Sequence, residues 1–350
     1  MKSKKTALYD EHVKAGAKIV EYHGWELPIQ YSGLIPEHLA VRNNAGMFDV
    51  SHMGILELSG KDRETFLQNV TVNDISRIKL NCTQYNMVCN EKGFILDDIM
   101  VSRDIDKFII VVNASNIDKI LKWFEKNQNK ADIKVIHRQD LNILAVQGPN
   151  AVKLISAACD YEISINRFSF IKTKLLGKEV SISATGYTGE EGVELFIKDE
   201  DIPFIWKYLL KASVTPCGLG ARDTLRIEAG LPLYGQELSE EINPLMTNYG
   251  WVVKFDKGNF IGKESILAYK NSSTNKKYTY GVLLDTKIAR HGYEVVGGGE
   301  VTSGTYSAYL KKPIAMILTS QKLNIGDQVK IKVRSAEEHG EIVSLPFFKK

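Results

Sequence analysis

Residues 84–103 read QYNMVCNEKGFILDDIMVSR, with the hydrophobic pattern of two strands joined by a turn. Tyr85, Met87 and Cys89 alternate with Asn86 and Val88. Asn90-Glu91-Lys92-Gly93 carries turn residues, and residues 94–101 form a second run rich in strand formers. The pattern predicts a β-hairpin. Asp97 and Asp98 interrupt it. A period of two puts Phe94, Leu96 and Met100 on the face of Asp98, and Ile95, Ile99 and Val101 on that of Asp97. Each carboxylate therefore stands among hydrophobes, where a charge needs a partner or a function. A two-residue loop at Glu91-Lys92 would set Tyr85 opposite Asp98 and Asn86 opposite Asp97. A phenol and a carboxylate would then share one level of one face, an arrangement that can grip a small polar ligand.

Elsewhere the periodicity is mixed. Leu8, His12, Ala15 and Ile19 recur at spacings of three or four and predict a helix over 8–21. Gly24-Trp25, Leu27-Pro28 and Tyr31 mark an irregular aromatic segment. A helix over 37–44 follows Pro36. A strand over 55–58, a helix over 61–69, the hairpin, a strand over 107–112 and a helix over 117–126 together predict an α+β unit on an antiparallel sheet. Further strands are expected at 142–146, 181–184 and 193–197, and helices at 151–158, 203–210 and 221–229, the last closed by Gly230. Residues 270–277, KNSSTNKK, hold no apolar side chain and read as a linker. Beyond them, strands at 278–284, 316–319 and 329–333 and the turn Gly297-Gly298-Gly299 predict a small all-β barrel. The expected organisation is thus an α+β region over 1–269 and a C-terminal β-barrel domain over 278–350. Within the first, subdomains of roughly 1–50 plus 140–269 would flank an inserted ferredoxin-like unit at 51–139.

Composition narrows the function classes. The 350 residues are 44% hydrophobic and 25% charged, as in an ordinary globular protein, and the net charge of +3 does not suit a nucleic-acid binder. No apolar run is long enough for a membrane span. The basic start at Lys2, Lys4 and Lys5 leads into Thr6-Ala7-Leu8-Tyr9-Asp10, not into an apolar signal core, so a cytoplasmic location is expected. Cys82, Cys89, Cys159 and Cys217 lack metal-ligand spacing and read as reduced thiols, so no metal site is expected.

Three further places carry candidate chemistry. Glu194 shares a strand face with Phe196. A carboxylate beside an aromatic suits a flat heterocycle with two adjacent N–H donors, such as a pterin; a surface Glu on a half-exposed strand would show the same pattern. Arg222 falls in the first turn of the helix after Gly218-Leu219-Gly220, where the macrodipole disfavours a cation. It calls for an ion pair or an anionic or carbonyl ligand. The two glycines lack the preceding strand and third glycine of a dinucleotide fingerprint. His52, within Val50-Ser51-His52-Met53, fits either a base or a packed histidine.

Taken together, the segments LYDEHVKAGAKIVEYHGWELPIQY (8–31), GMFDVSHMG (46–54), NEKGFILDD (90–98), LAVQGP (144–149), GYTGEEGVE (186–194) and GLGARDTLRIEAGLPLYGQEL (218–238) resemble the aminomethyltransferase, or T-protein, family of the glycine cleavage system nearly end to end. The resemblance implies a three-domain cloverleaf fold of class α+β around a central folate-binding cavity. It implies transfer of a methylene carbon from the aminomethyl-lipoyl arm of H-protein to tetrahydrofolate, with release of ammonia and no metal or flavin. Asp98 takes the catalytic position, and Tyr85, Asn113, Tyr187, Glu194 and Arg222 take folate-binding positions. Some relatives carry a ligand-contacting Tyr near the C-terminus, where this chain has Leu345-Pro346-Phe347-Phe348. Two related activities share the fold. A folate-binding iron–sulfur maintenance family has Lys-Gly-Cys where this chain has Lys257-Gly258-Asn259, which argues against it. A stand-alone tetrahydrofolate-dependent demethylase is the other alternative.

Overall fold

The computed structural model describes residues 3–349. They divide into two compact units. The first takes in residues up to 66, 75–84 and 99–223; the second takes in 67–74, 85–98 and 224 onward.

In the first unit a six-stranded sheet has the order Phe170–Leu175, Lys178–Ser183, Gly192–Lys198, Leu141–Gln147, Gly46–Asp49, Thr215–Pro216. Leu141–Gln147 lies antiparallel between two neighbours, with Leu144 paired to Leu195 on one side and to Asp49 on the other. Helix Ile202–Lys211 covers the sheet through one stripe, Ile202, Ile205, Trp206 and Leu209, at the three-and-four spacing of an amphipathic helix. A smaller sheet places Trp25–Gln30 between Lys4–Lys5 and Lys18–Tyr22.

This small sheet departs from the sequence expectation, because the helix foreseen over 8–21 ends at Lys14. Gly16 takes φ +75°, its N–H donates to Val13 O, and the Ala17 N–H donates to His12 O, which is a left-handed helix stop. His23 and Gly24 both have positive φ, 49° and 83°, between the paired residues Tyr22 and Trp25. That two-residue turn folds Lys18–Tyr22 onto Trp25–Gln30, so the aromatic segment is a strand. Ile19 kept the helical spacing only by coincidence; it pairs with Pro28.

One buried carboxylate ties these pieces together. Asp49 Oδ2 accepts from Thr6 Oγ1 at 2.6 Å and meets His12 Nε2 at 2.8 Å; Oδ1 accepts from the Ser51 N–H at 2.9 Å and from Ser51 Oγ at 2.6 Å. The Tyr31 hydroxyl sits 2.9 Å from His12 Nδ1. Although burial raises the Asp49 carboxyl, the His12, Ser51 and Thr6 partners outweigh it and lower the group to about 2. Glu37, also buried, accepts from the N–H groups of Tyr31 (2.6 Å), Gly33 (3.0 Å) and Gly218 (2.8 Å).

A five-stranded sheet has the order Cys82–Cys89, Ile95–Arg103, Lys107–Val112, Gly54–Ser59, Lys134–His137. Its first two strands are the hairpin foreseen from the sequence, whose tip, 85–98, counts with the second unit. The turn holds one residue more than the two-residue loop. Gly93 N donates to Asn90 O and Asn90 N to Phe94 O, with Gly93 at φ +77° as a G1-type bulge. Asn90 Oδ1 accepts from the N–H groups of Lys92 and Phe94. A Cβ on Gly93 would stand 2.8 Å from Ile266 Cγ1 and 3.1 Å from Ile266 N on helix Lys263–Asn271.

In the second unit an antiparallel sheet curls in the order Gly299–Ser307, Lys312–Thr319, Tyr278–Leu284, Ala336–Val343, Gln328–Val333. Val329, Ile331 and Val333 alternate inward with exposed Gln328, Lys330 and Lys332, and the core they join includes Val282, Leu284, Ile317 and Ile342. Before this sheet, Lys257 Nζ donates to the carbonyls of Gln68 (2.7 Å), Thr71 (2.6 Å) and Asn73 (2.8 Å). Desolvation presses this lysine down to about 7, against the pull of Asp74. Three carbonyl acceptors call for three N–H donors, which only the ammonium form has.

Two outcomes test these contacts. Gly93→Ala adds left-handed strain of about 1–2 kcal/mol to the clash with Ile266, so its urea midpoint falls below wild type; an unchanged midpoint refutes the account. Thr6→Val removes one charge-assisted donor and lowers stability at pH 7 by about 1–3 kcal/mol. Asp49 is held below its ordinary 3.8, so its contribution is full above 3.8 and fades as pH falls toward about 2. Unfolding free energies of the two proteins should therefore converge over that interval; a constant gap would show that the hydroxyl does not act through the charge.

Candidate functional site

In the second unit the hairpin separates the two acids. Asp97 is wholly buried, whereas Asp98 is half-buried and so the one able to meet a ligand. Tyr85 Oη donates to Asp98 Oδ2 at 3.2 Å, which brings together the phenol and carboxylate foreseen on one face. Tyr85 belongs to a group of rings. Its centroid is 5.4 Å from that of Tyr249 and 6.3 Å from that of Trp251, and those two are 6.2 Å apart. Burial and the negative charge of Asp98 both push the Tyr249 phenol well above its usual range, so it stays protonated. Sequence reading missed Tyr249 and Trp251. Tyr249 immediately precedes, and Trp251 lies within, a short 3₁₀ segment, Gly250–Val252, and they carry no strand or helix period that would flag them.

The other predicted residues lie in the first unit. Glu194 on Gly192–Lys198 accepts from Thr185 Oγ1 at 2.5 Å. Burial raises its carboxyl, opposed by Thr185 and by the positive charge of Arg222. The Arg222 guanidinium lies over the Tyr187 ring at 4.7 Å, a cation–π contact. Arg222, Glu194 and Tyr187 thus form one group, with Arg222 within electrostatic reach of the carboxylate. Asn113 stands immediately after strand Lys107–Val112 in extended backbone, leading into Ala114–Asn116.

Backbone packing explains the glycines around this group. A Cβ on Gly218 would fall 2.3 Å from the carbonyl carbon and oxygen of Ile29, so the glycine lets strand Trp25–Gln30 press against the start of helix Leu219–Glu228. Close packing, not phosphate binding, accounts for Gly218. The loop carrying Tyr187 is pinned by Gln147. Its Nε2 donates to the Thr185 and Val193 carbonyls at 3.1 and 3.3 Å, and its Oε1 accepts from Thr188 Oγ1 at 2.9 Å. A Cβ on Gly186 would sit 1.9 Å from Gln147 Oε1. Arg42 adds a bond to Thr188 O at 2.8 Å and an ion pair to Glu190 at 3.3 Å.

His52 is buried, and its Nδ1 meets no hydrogen-bond partner among the described residues. Burial first, then the charges of Arg222 and His23, hold it down at about 3 despite Asp49, so the ring is neutral at pH 7. It packs edge-on to Tyr22 with centroids 6.0 Å apart. The described residues gather no set of three or more His, Cys, Asp or Glu side chains suited to a metal ion. Among the described residues, no helix is long and apolar enough to cross a membrane.

Comparison with known proteins bears on what these groups serve. Residues 8–257 match the family described as GCVT N-terminal domain, and residues 277–349 match the glycine cleavage T-protein C-terminal barrel domain. A protein named aminomethyltransferase from Thermoanaerobacter pseudethanolicus is 42% identical over 360 positions, covering 99% of this chain and 98% of its own. One from Bacillus pumilus is 41% identical over 361 positions, covering 99% of each. The crystal structure of glycine cleavage system aminomethyltransferase T from Bartonella henselae superposes with a TM-score of 0.92 at 30% identity, covering 99% of this chain and 98% of that one. With both family domains matched and relatives similar over their full length, the chain belongs to the aminomethyltransferase family, the T-proteins of the glycine cleavage system.

Proposed function

We propose that this chain transfers a methylene carbon from the aminomethyl-lipoyl arm of H-protein to tetrahydrofolate in the cytoplasm. In that reaction the carbon leaves its sulfur and its amine and becomes bonded to N5 and N10 of the folate. One folate hydrogen goes to the sulfur and the other to the amine, so dihydrolipoyl H-protein and ammonia are released beside 5,10-methylenetetrahydrofolate. The observation that carries the reading is the half-buried Asp98 carboxylate held by the Tyr85 hydroxyl at 3.2 Å.

Each proposed role follows from the side chain's chemistry. The carbon in transit carries positive, iminium-like character, and a fixed carboxylate stabilises it without reorganisation. The same carboxylate can take a proton from the arylamine nitrogen as that weak nucleophile attacks. Tyr85, by donating to Oδ2, keeps the carboxylate in one orientation. In the first unit, Glu194 has the chemistry to read the two-donor edge of a pterin, with Thr185 engaging Oε2. Arg222, stacked on Tyr187, offers a planar donor face to carbonyl or anionic groups of the same ligand. Asn113 is read as a further folate contact.

Incubation with tetrahydrofolate and aminomethyl-loaded H-protein, following ammonia, tests the reaction directly. Asp98→Asn should fold normally by circular dichroism and lose at least about 100-fold in turnover; wild-type turnover would remove Asp98 from the mechanism. Glu194→Ala and Arg222→Ala each delete a charged hydrogen-bonding group and should weaken folate binding about tenfold or more. Unchanged calorimetric titrations would show that the pterin is held elsewhere.

A further inference from the structure

Trp251 is 56% exposed, a large indole open to solvent. It closes a triangle of rings with Tyr85 and Tyr249 whose centroids stand 5.4–6.3 Å apart. The Asp98 carboxylate is hydrogen-bonded to one of these rings and electrostatically felt by a second. Three clustered aromatic rings beside one carboxylate make a recognition element with a defined preference. Ring quadrupoles attract a cation of low hydration, and the carboxylate adds the countercharge. A neutral heterocycle gains nothing from that charge, and a compact, strongly hydrated ion gains little from the rings. The indole already holds a cation in the free protein, since Lys254 Nζ lies 5.8 Å from its centroid, tied back to Trp251 O at 2.7 Å. Asp98 and Lys254 thus bring one acidic and one basic group to the cluster.

We propose that Tyr85, Tyr249 and Trp251 form an aromatic cage that, with Asp98, binds small alkylammonium and iminium groups. Its natural occupant would be the cationic carbon–nitrogen group of the one-carbon donor, and Trp251 and Tyr249 would be its further binding residues. The inference rests on Asp98 being the reacting carboxylate, but its test needs no turnover.

The full-length protein is titrated with dimethylammonium chloride at constant ionic strength, and saturation transfer to the probe's methyl protons is followed by NMR. Isopropanol, similar in size and neutral, is the control. The expected result is saturable transfer to dimethylammonium and none to isopropanol. Trp251→Ala and Tyr249→Leu should raise the apparent Kd at least fivefold, Trp251→Phe about twofold, and Lys254→Met should lower it by removing a competing cation. Absence of wild-type binding, equal saturation by isopropanol, or wild-type titration by Trp251→Ala would each overturn the cage. Should Trp251→Ala fail to fold, Tyr249→Leu and Trp251→Phe decide between the same outcomes. Probe binding lost in the cage variants, with no carbon transfer by the wild type, would sink the proposed reaction and leave the cage standing. Carbon transfer with no probe binding would do the reverse.

Discussion

Taking a carboxylate out of water costs several kcal/mol unless donors replace the lost solvent, and this chain meets that demand repeatedly. Asp49 collects Thr6, His12 and both donors of Ser51. Glu37 collects three backbone N–H groups from two distant segments. In the second unit Glu237 takes a bond from the fully buried Arg226 at 2.9 Å, and Glu228 accepts from Ser307 Oγ at 2.5 Å and from the Tyr309 N–H at 3.1 Å. Asp49, Glu37 and Glu228 each fix the relative position of segments far apart in sequence. Removing a donor does more than delete one bond, because it leaves an underpaired charge in a dry place.

Asp98 stands at the edge of that rule. It is half-buried rather than sealed, and it accepts from the Tyr85 hydroxyl at 3.2 Å beside the Tyr249 and Trp251 rings. Its partial exposure leaves the carboxylate open to a cation that arrives later, as the proposed chemistry requires. Lys257 is its counterpart of opposite sign. Its ammonium is consumed by three carbonyls, so the Lys-Gly-Asn segment has a structural duty that does not depend on a cysteine. The C-terminal segment is similarly committed: Phe347 is buried with Ile227, Ile314 and Met316, and Phe348 packs edge-on to Tyr309 at 4.9 Å.

Much of this was legible along the chain. The helices at 151–158 and 117–126 and the strands at 142–146 and 193–197 carry strong periods and appear within a residue or so of their expected limits. The hairpin was readable from its turn residues, and its two carboxylates from their misfit with the strand pattern. Where the reading failed, a local signal was ambiguous. Ile19 extended a helical spacing across Gly16, and His23-Gly24 made a hairpin turn with a histidine in place of the usual asparagine. Strands Phe170–Leu175 and Lys134–His137 went unforeseen; their apolar runs are short, and pairing with neighbours decides them.

By itself, then, the sequence determined the class of fold, the family and the oddity of Asp98, because hydrophobic period, turn chemistry and motif strings are written locally. Tertiary structure alone decided that Asp97 is sealed while Asp98 is half-open, that Gly218 serves a passing strand, and that Tyr85, Tyr249 and Trp251 gather around one carboxylate. Those outcomes depend on which distant segments meet, and burial, desolvation and ring contact exist only once they have met.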